Sequence, residues 1–328
     1  MFKKLKIIFY ILILSILAFL FLEPIEESNL IFENSTMNST VYFCPSDNCM
    51  QVLINLTSNS KKIACAFYDL DLIPLIHQFE QSKARLVIDY KNYYDNEEKF
   101  ENFTDNIKLG TKSIQMHNKF CIFDDEIIAT GSFNPTLRGN YKNNNNLVVI
   151  QSKYLAKNFN EEFDELWNGI NSKGNTVKYP KIILNNNIVE NYFCPEDCNP
   201  EIFTNIINSA NKSVYFMTFS FTKDEIGDAL INAHNLGIEV KGVFEKTQNN
   251  KWLEKQRLEA AGITDIIWDT NSANMHHKVF IIDEKIVITG STNPSNNGLT
   301  KNDENIIVLH DEIIAKEFIE EFNNVYNK

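Results

Sequence analysis

Residues 116–168 and 275–327 are one segment written twice: at an offset of 159 they align without a gap, and nearly half of the positions are identical. The first copy runs Met116-His117-Asn118-Lys119 through Asp124 to Gly131-Ser132-Phe133-Asn134-Pro135. The second runs Met275-His276-His277-Lys278 through Asp283 to Gly290-Ser291-Thr292-Asn293-Pro294. Upstream, Lys62–Leu70 answers Ser213–Phe221 at an offset near 151. A period this long, present twice, means two duplicated lobes rather than a solenoid.

Each half reads as alternating strands and helices. Ile63–Tyr68, Arg85–Tyr90, Val214–Phe221 and Ile238–Phe244 are apolar, aromatic-rich runs expected as strands. Met116–Phe123 and Met275–Ile282 are expected as the strands that carry His and Lys, followed by Ile127–Thr130, Ile286–Thr289, Leu147–Ile150 and Ile306–Leu309. Leu72–Gln81 and Glu225–Asn235 have helical spacing, and Lys153–Trp167 and Glu312–Tyr326 close the halves as helices. The class is therefore α/β. The expected organisation is a first lobe over 41–170, a connection over 171–190 and a second lobe over 191–328.

On a strand, residues two apart share a face, so His117 would lie beside Lys119 and His276 beside Lys278. Such a pair suits a phosphate: the imidazole attacks or donates a proton, and the ammonium offsets oxygen charge. Gly131-Ser132 and Gly290-Ser291 are tight turns that free backbone N–H groups near an anion, and Asn134 and Asn293 offer amide donors. A lone His-x-Lys means nothing. Two complete copies in register leave chance little room.

The N-terminus carries Lys3, Lys4 and Lys6 (residues 1–6), an apolar run Ile7–Leu22, then Glu23, Pro24, Glu26 and Glu27 opening a linker over 23–40. No small-x-small cleavage site follows Leu22, which favours an uncleaved membrane anchor over a removed signal peptide. Lysines before and acids after place the start of the chain in the cytoplasm and the body outside, single-pass, or secreted if the segment is cleaved. Cysteine usage agrees. Cys44 with Cys49, and Cys194 with Cys198, form a duplicated Phe-Cys-Pro motif read as two short-loop disulfides, with a four-cysteine zinc site as the alternative. Cys65 and Cys121 stand alone in apolar strands and read as buried filler. The net charge of −12 opposes broad attraction to nucleic acid.

The double His-x-Lys-x4-Asp-x6-Gly-Ser-x-Asn pattern resembles that of the phospholipase D superfamily, over roughly residues 41–328, and is most similar to its bacterial endonuclease and mitochondrial cardiolipin hydrolase branch. The resemblance implies two lobes, each a mixed sheet flanked by helices, packed about a pseudo-twofold with one cleft. The chain would be a monomer containing its own internal dimer. One histidine would form a phosphohistidine, and the other would protonate the leaving oxygen and then activate water. Lys119, Lys278, Asn134 and Asn293 would hold the phosphate oxygens, with no metal or cofactor.

Glu304, 28 residues after His276, breaks the symmetry, because Asn145 holds that place after His117. In related nucleases a carboxylate there orients a catalytic imidazole. Whether Glu304 reaches its own lobe's histidine or the other's stays open at this point. By resemblance His117 is the expected nucleophile and His276 the expected acid. Asp124 and Asp283 read as structural supports. The expected substrate is a phospholipid; a DNA- or RNA-cleaving endonuclease is the alternative, and a catalytically silent membrane-anchored binding protein the reading from another class.

Overall fold

The computed structural model describes residues 30–101, 103 and 106–328. Residues 1–6 and the apolar run 7–22 lie outside the described residues. Among the described residues no helix is long and apolar enough to cross a membrane.

Two mixed sheets organise the chain. β1 (Ile31–Glu33) comes first in sequence but joins the second sheet. β2 (Thr40–Cys44), β3 (Ile63–Phe67), β4 (Arg85–Ile88), β5 (Ile107–Leu109), β6 (Lys119–Phe123), β7 (Ile127–Gly131) and β8 (Asn145–Gln151) form a seven-stranded sheet in the order β2-β8-β7-β6-β3-β4-β5. β9 (Lys181–Leu184), β10 (Asn187–Cys194), β11 (Ser213–Thr218), β12 (Glu239–Phe244), β13 (Ile266–Trp268), β14 (Lys278–Ile282), β15 (Ile286–Gly290) and β16 (Glu304–His310) join β1 in a nine-stranded sheet. Its order is β1-β9-β10-β16-β15-β14-β11-β12-β13. From β10 onward this repeats the first order strand for strand, so the duplication read in the sequence is a duplication of topology. β3, β4 and β5 run parallel, as do β11, β12 and β13, while the remaining neighbours of the repeated order are antiparallel. Parallel neighbours need crossovers, and the helices Ile73–Gln81 and Asp224–Asn235 supply them between β3 and β4 and between β11 and β12.

The closing helices have the expected bounds, Lys153–Trp167 and Glu312–Tyr326, capped by the side chains of Ser152 and Asp311. Leu155, Phe159, Phe163 and Leu166 repeat at three-and-four spacing and are fully buried, as are Ile314, Phe318 and Phe322. These stripes meet residues of both sheets in one core, in which Phe43 packs edge-on against Phe318 and Phe159 against Phe193. Each such side chain contributes roughly 1.5–3 kcal/mol by leaving water. Two further cores lie on the outer faces, one under the helices Cys49–Ser58 and Ile73–Gln81, the other under Glu201–Asn208 and Asp224–Asn235.

Several expectations change. The segments read as linker and connection supply strands: β1 pairs with β9, and β9 with β10, which widens the second sheet. The helices Cys49–Ser58 and Glu201–Asn208 follow the Phe-Cys-Pro turns, where no helix was expected. The His-Lys strands start at Lys119 and Lys278, not at Met116 and Met275. The histidines precede the strands because their backbone turns to the other lobe: His117 N–H bonds Asp303 O, and His276 N–H bonds Asn144 O, both at 2.9 Å.

All six cysteines are paired: Cys44–Cys49, Cys194–Cys198 and Cys65–Cys121. The first two are the expected short loops, so their thiolates are not available to zinc. The third corrects the reading of Cys65 and Cys121 as filler. β3 and β6 are antiparallel neighbours whose register sets Cys65 directly opposite Cys121. The matching positions of the second lobe, Phe216 and Phe280, are also register partners and stack at 5.8 Å between ring centroids. One lobe ties this strand pair covalently and the other by aromatic packing. Replacing both Cys65 and Cys121 by Ala is expected to cost about 2–4 kcal/mol, read as a lower urea midpoint under non-reducing conditions. An unchanged midpoint would show that the bridge adds nothing.

Candidate active site

The site forms where the lobes exchange residues. Gly131 and Gly290 end β7 and β15 with φ of +151° and +137°. A Cβ there would lie 2.4 Å from the carbonyl oxygen of Asn146 and 2.2 Å from that of Asn305. Glycine therefore lets β7 and β15 approach their neighbours and sets the following serine at the interface. The Ser132 hydroxyl accepts the Asn146 N–H at 3.0 Å, and Ser291 accepts that of Asn305 at 2.9 Å.

Both histidines are oriented by the opposite lobe. His117 Nδ1 lies 2.7 Å from Glu304 Oε2. His276 Nδ1 lies 2.9 Å from Asn145 Oδ1 and 3.1 Å from the Ser132 carbonyl. This answers the question left by the sequence: the residue 28 positions after each histidine serves the other one. Asn145 donates through Nδ2 to the Gly139 carbonyl, 3.1 Å away, which fixes its amide with oxygen toward the ring. Facing two acceptors, His276 Nδ1 must carry hydrogen, and its Nε2 is left for chemistry.

Lys119 and Lys278 are buried and donate back to the carbonyls of His117 and His276, at 2.6 and 2.7 Å. Each ammonium sits over an aromatic ring, Tyr68 at 5.1 Å and Phe219 at 4.9 Å. The same rings pack against the imidazoles, with centroids 4.6 and 4.8 Å apart. Tyr68 and Phe219 escaped notice in the sequence, although aromatic residues at offset 151 after matching strands were the signal.

Burial governs the electrostatics. It holds Lys119 down to about 7, although the carboxylates of Glu304, Asp69 and Asp89 oppose the shift. Burial also lowers Lys278, with Lys119 adding repulsion. His117 and His276 are both held well below their ordinary value by burial and by the two ammonium groups. Burial pushes Glu304 up to about 7, against the attraction of Lys119 and a hydrogen bond from Ser291. The cluster thus holds its protons weakly on nitrogen and tightly on carboxylate, and an arriving phosphate anion would raise the proton affinity of the histidines and lysines.

Asn134 and Asn293 lie in the turns after the serines, each with a buried Oδ1 that has no hydrogen-bond partner. Asp124 and Asp283 are not brought to the site. They sit in the turns at the far ends of β6 and β14, roughly 17 Å along each strand from the lysines. There they accept backbone N–H groups, Lys61 and Lys62 for Asp124 and Asn211, Lys212 and Ser213 for Asp283. The residue between His and Lys points into the core instead. Asn118 donates to Glu162 at 3.0 Å, and His277 bridges Glu321 and Asn146 at 3.2 and 3.1 Å.

Comparison with known proteins finds the same duplication. A family model described as "Cardiolipin synthase, PLD-like domain" matches residues 35–167 and again 203–326. A phospholipase D of Rickettsia felis is 30% identical over 169 residues, which is 49% of this chain and 84% of the relative. A mitochondrial cardiolipin hydrolase of Chlamydomonas reinhardtii is 29% identical over 126 residues, 38% of this chain; the match spans only 56% of the relative's length. Among solved structures, phosphatidylserine synthase of Haemophilus influenzae superposes with a TM-score of 0.65 at 12% identity, covering 88% of this chain and 86% of that one. That likeness is one of fold.

Proposed function

The chain belongs to the phospholipase D superfamily and is a phosphodiesterase of that type, and from this premise we propose that it hydrolyses phospholipids through a phosphohistidine on His117. The observation that carries the assignment of roles is the unequal pairing of the histidines, Glu304 on His117 and Asn145 on His276. With Nδ1–H donated to an ionised Glu304, His117 presents the Nε2 lone pair to phosphorus, and the carboxylate offsets the cationic ring formed by attack. The bond from phosphorus to the leaving alcohol breaks, and His276, protonated once the phosphate is bound, gives its Nε2 proton to that oxygen. His276 then takes a proton from water, the hydroxide attacks phosphorus, and the P–N bond returns its electrons to His117. Lys119, Lys278 and the amides of Asn134 and Asn293 would hold the non-bridging oxygens.

The names of the relatives, phospholipase D and cardiolipin hydrolase, support a phospholipid substrate. The lysine-flanked apolar run 7–22 supports attachment to a membrane with the body outside the cytoplasm, and three disulfides fit an oxidising compartment. An endonuclease is the second reading. It is favoured by the exposed rings of Tyr94, at the end of the short helix Tyr90–Tyr94 after β4, and of Trp252, in the turn after β12, with Lys251 Nζ 4.6 Å from the Trp252 ring centroid. The test is to incubate the full chain, with a chelator present, with cardiolipin or phosphatidylcholine vesicles and separately with single-stranded DNA. Lipid turnover that labels His117 as phosphohistidine is expected. Cleavage of DNA alone overturns the lipid assignment, and trapping on His276 reverses the roles.

A further inference from the structure

The duplication supplies an internal control for the surface beside the cleft. Ile73 opens the helix after β3, and Leu137 and Tyr141 belong to the short helix Leu137–Tyr141 that follows the Gly-Ser-Phe-Asn-Pro turn. They are 52%, 57% and 53% exposed. The matching positions of the second lobe, at offsets of 151 and 159, are Asp224, Asn296 and Thr300, also exposed. The same backbone, at the same distance from its own motif, is apolar in one lobe and polar in the other. Folding does not demand apolar residues there.

The three side chains form one patch. Leu137 N–H donates to Asp71 Oδ1 at 2.6 Å, and Leu72 N–H to the Pro135 carbonyl at 3.3 Å, so the start of the first helix lies against the start of the second. Leu137 and Tyr141 are four residues apart on a helix and share a face. The patch adjoins the catalytic groups: Ser132, five residues before Leu137, has its carbonyl on His276, and Asn144, three after Tyr141, accepts the His276 N–H. Arg138 and Lys142, both exposed, alternate with the apolar residues on a chain whose net charge is −12.

We propose that this rim of the first lobe rests on an anionic phospholipid surface and brings the cleft to it. The proposal rests on the phospholipid reading above and adds how the surface is engaged. Aliphatic Ile73 and Leu137 gain by entering the acyl boundary, Tyr141 suits the interface, and Arg138 and Lys142 meet head-group phosphates. Bases and phosphates of a nucleic acid would give the two aliphatic side chains nothing comparable. The polar rim of the second lobe would remain in water beside the head group.

The test uses the full chain reconstituted into vesicles of phosphatidylcholine with bromine-labelled phosphatidylglycerol. Tyr141→Trp reports contact by quenching, with the parent chain subtracted for its own tryptophans. Quenching is expected in the otherwise wild-type chain and is expected to vanish when Ile73→Asp and Leu137→Asn are added. The triple variant Ile73→Asp, Leu137→Asn, Tyr141→Thr should turn over vesicle phospholipid at least about tenfold more slowly and a soluble bis(nitrophenyl) phosphate unchanged, which also shows that it folds. Absence of quenching, or quenching that survives Ile73→Asp and Leu137→Asn, overturns the proposal. So does a signal from the Tyr141→Trp chain that responds to single-stranded DNA and not to lipid. Quenching equal with bromine-labelled phosphatidylcholine alone overturns its anionic part. Quenching without any lipid turnover leaves the docking surface standing and defeats the phospholipid substrate instead.

Discussion

Glu304→Gln is expected to lower kcat by about 100- to 10,000-fold and to erase the acid limb of the pH profile. Both follow from the 2.7 Å contact with His117 Nδ1. Only when Glu304 is ionised does it accept the Nδ1 hydrogen and leave the Nε2 lone pair free. A protonated Glu304 donates to Nδ1 instead, and the hydrogen moves to Nε2, where it blocks attack. Since burial raises Glu304 to about 7, kcat/KM for a nitrophenyl phosphodiester, whose leaving group needs no proton from His276, should fall about tenfold per pH unit below that value. Glutamine keeps the ring in place through its amide oxygen but neither titrates nor offsets the cationic phosphohistidine. The reciprocal change, Asn145→Asp, puts an anion on His276 Nδ1. It should raise the proton affinity of that ring and move the basic limb to higher pH. A Glu304→Gln enzyme with wild-type kcat and an intact acid limb would remove Glu304 from the reaction.

That contact shows where the sequence stops speaking. The motif was legible because its residues recur at one offset, and so was the division into two similar α/β lobes, since equal strands and helices recur with it. The asymmetry of Glu304 and Asn145 was visible too. Its direction was not: a separation of 28 residues is the same number whether a side chain folds back on its own lobe or crosses the pseudo-twofold. Only packing the lobes through the shared core, with His117 N–H on Asp303 and His276 N–H on Asn144, decides it. The Cys65–Cys121 bridge was hidden differently. It depends on the register of β3 against β6, which neither strand states alone. Its trace was the joint replacement by Phe216 and Phe280, two changes at two places that touch. β1 and β9 were missed because three and four residues carry too little alternation to register as strands.

Lys119→Met should abolish turnover, by at least about 1,000-fold, and at the same time make the protein harder to unfold. A lysine held down to about 7 from its ordinary 10.5 is charged more readily in the unfolded chain than in the folded one. This opposition to folding is greatest below pH 7, where the group is charged in both states, and fades as pH rises toward 10.5. At neutral pH the shift corresponds to a cost on the order of 4 kcal/mol. Methionine fills a similar volume without charge, and replacing a buried ionic group in this way stabilises by roughly 1–4 kcal/mol in favourable cases. The gain is reduced here because the bond to the His117 carbonyl disappears and Glu304 loses a nearby cation. We expect a net rise of about 1–2 kcal/mol, read as a higher urea midpoint at pH 7 that falls to the wild-type value and then below it as the pH rises toward 10. Asp124→Asn provides the contrast. Its carboxylate binds backbone at the far end of β6, so that change should cost stability and leave the chemical step alone. If Lys119→Met were less stable than the wild type at every pH, the ammonium would be part of what holds the lobes together rather than a strained group maintained for an arriving phosphate.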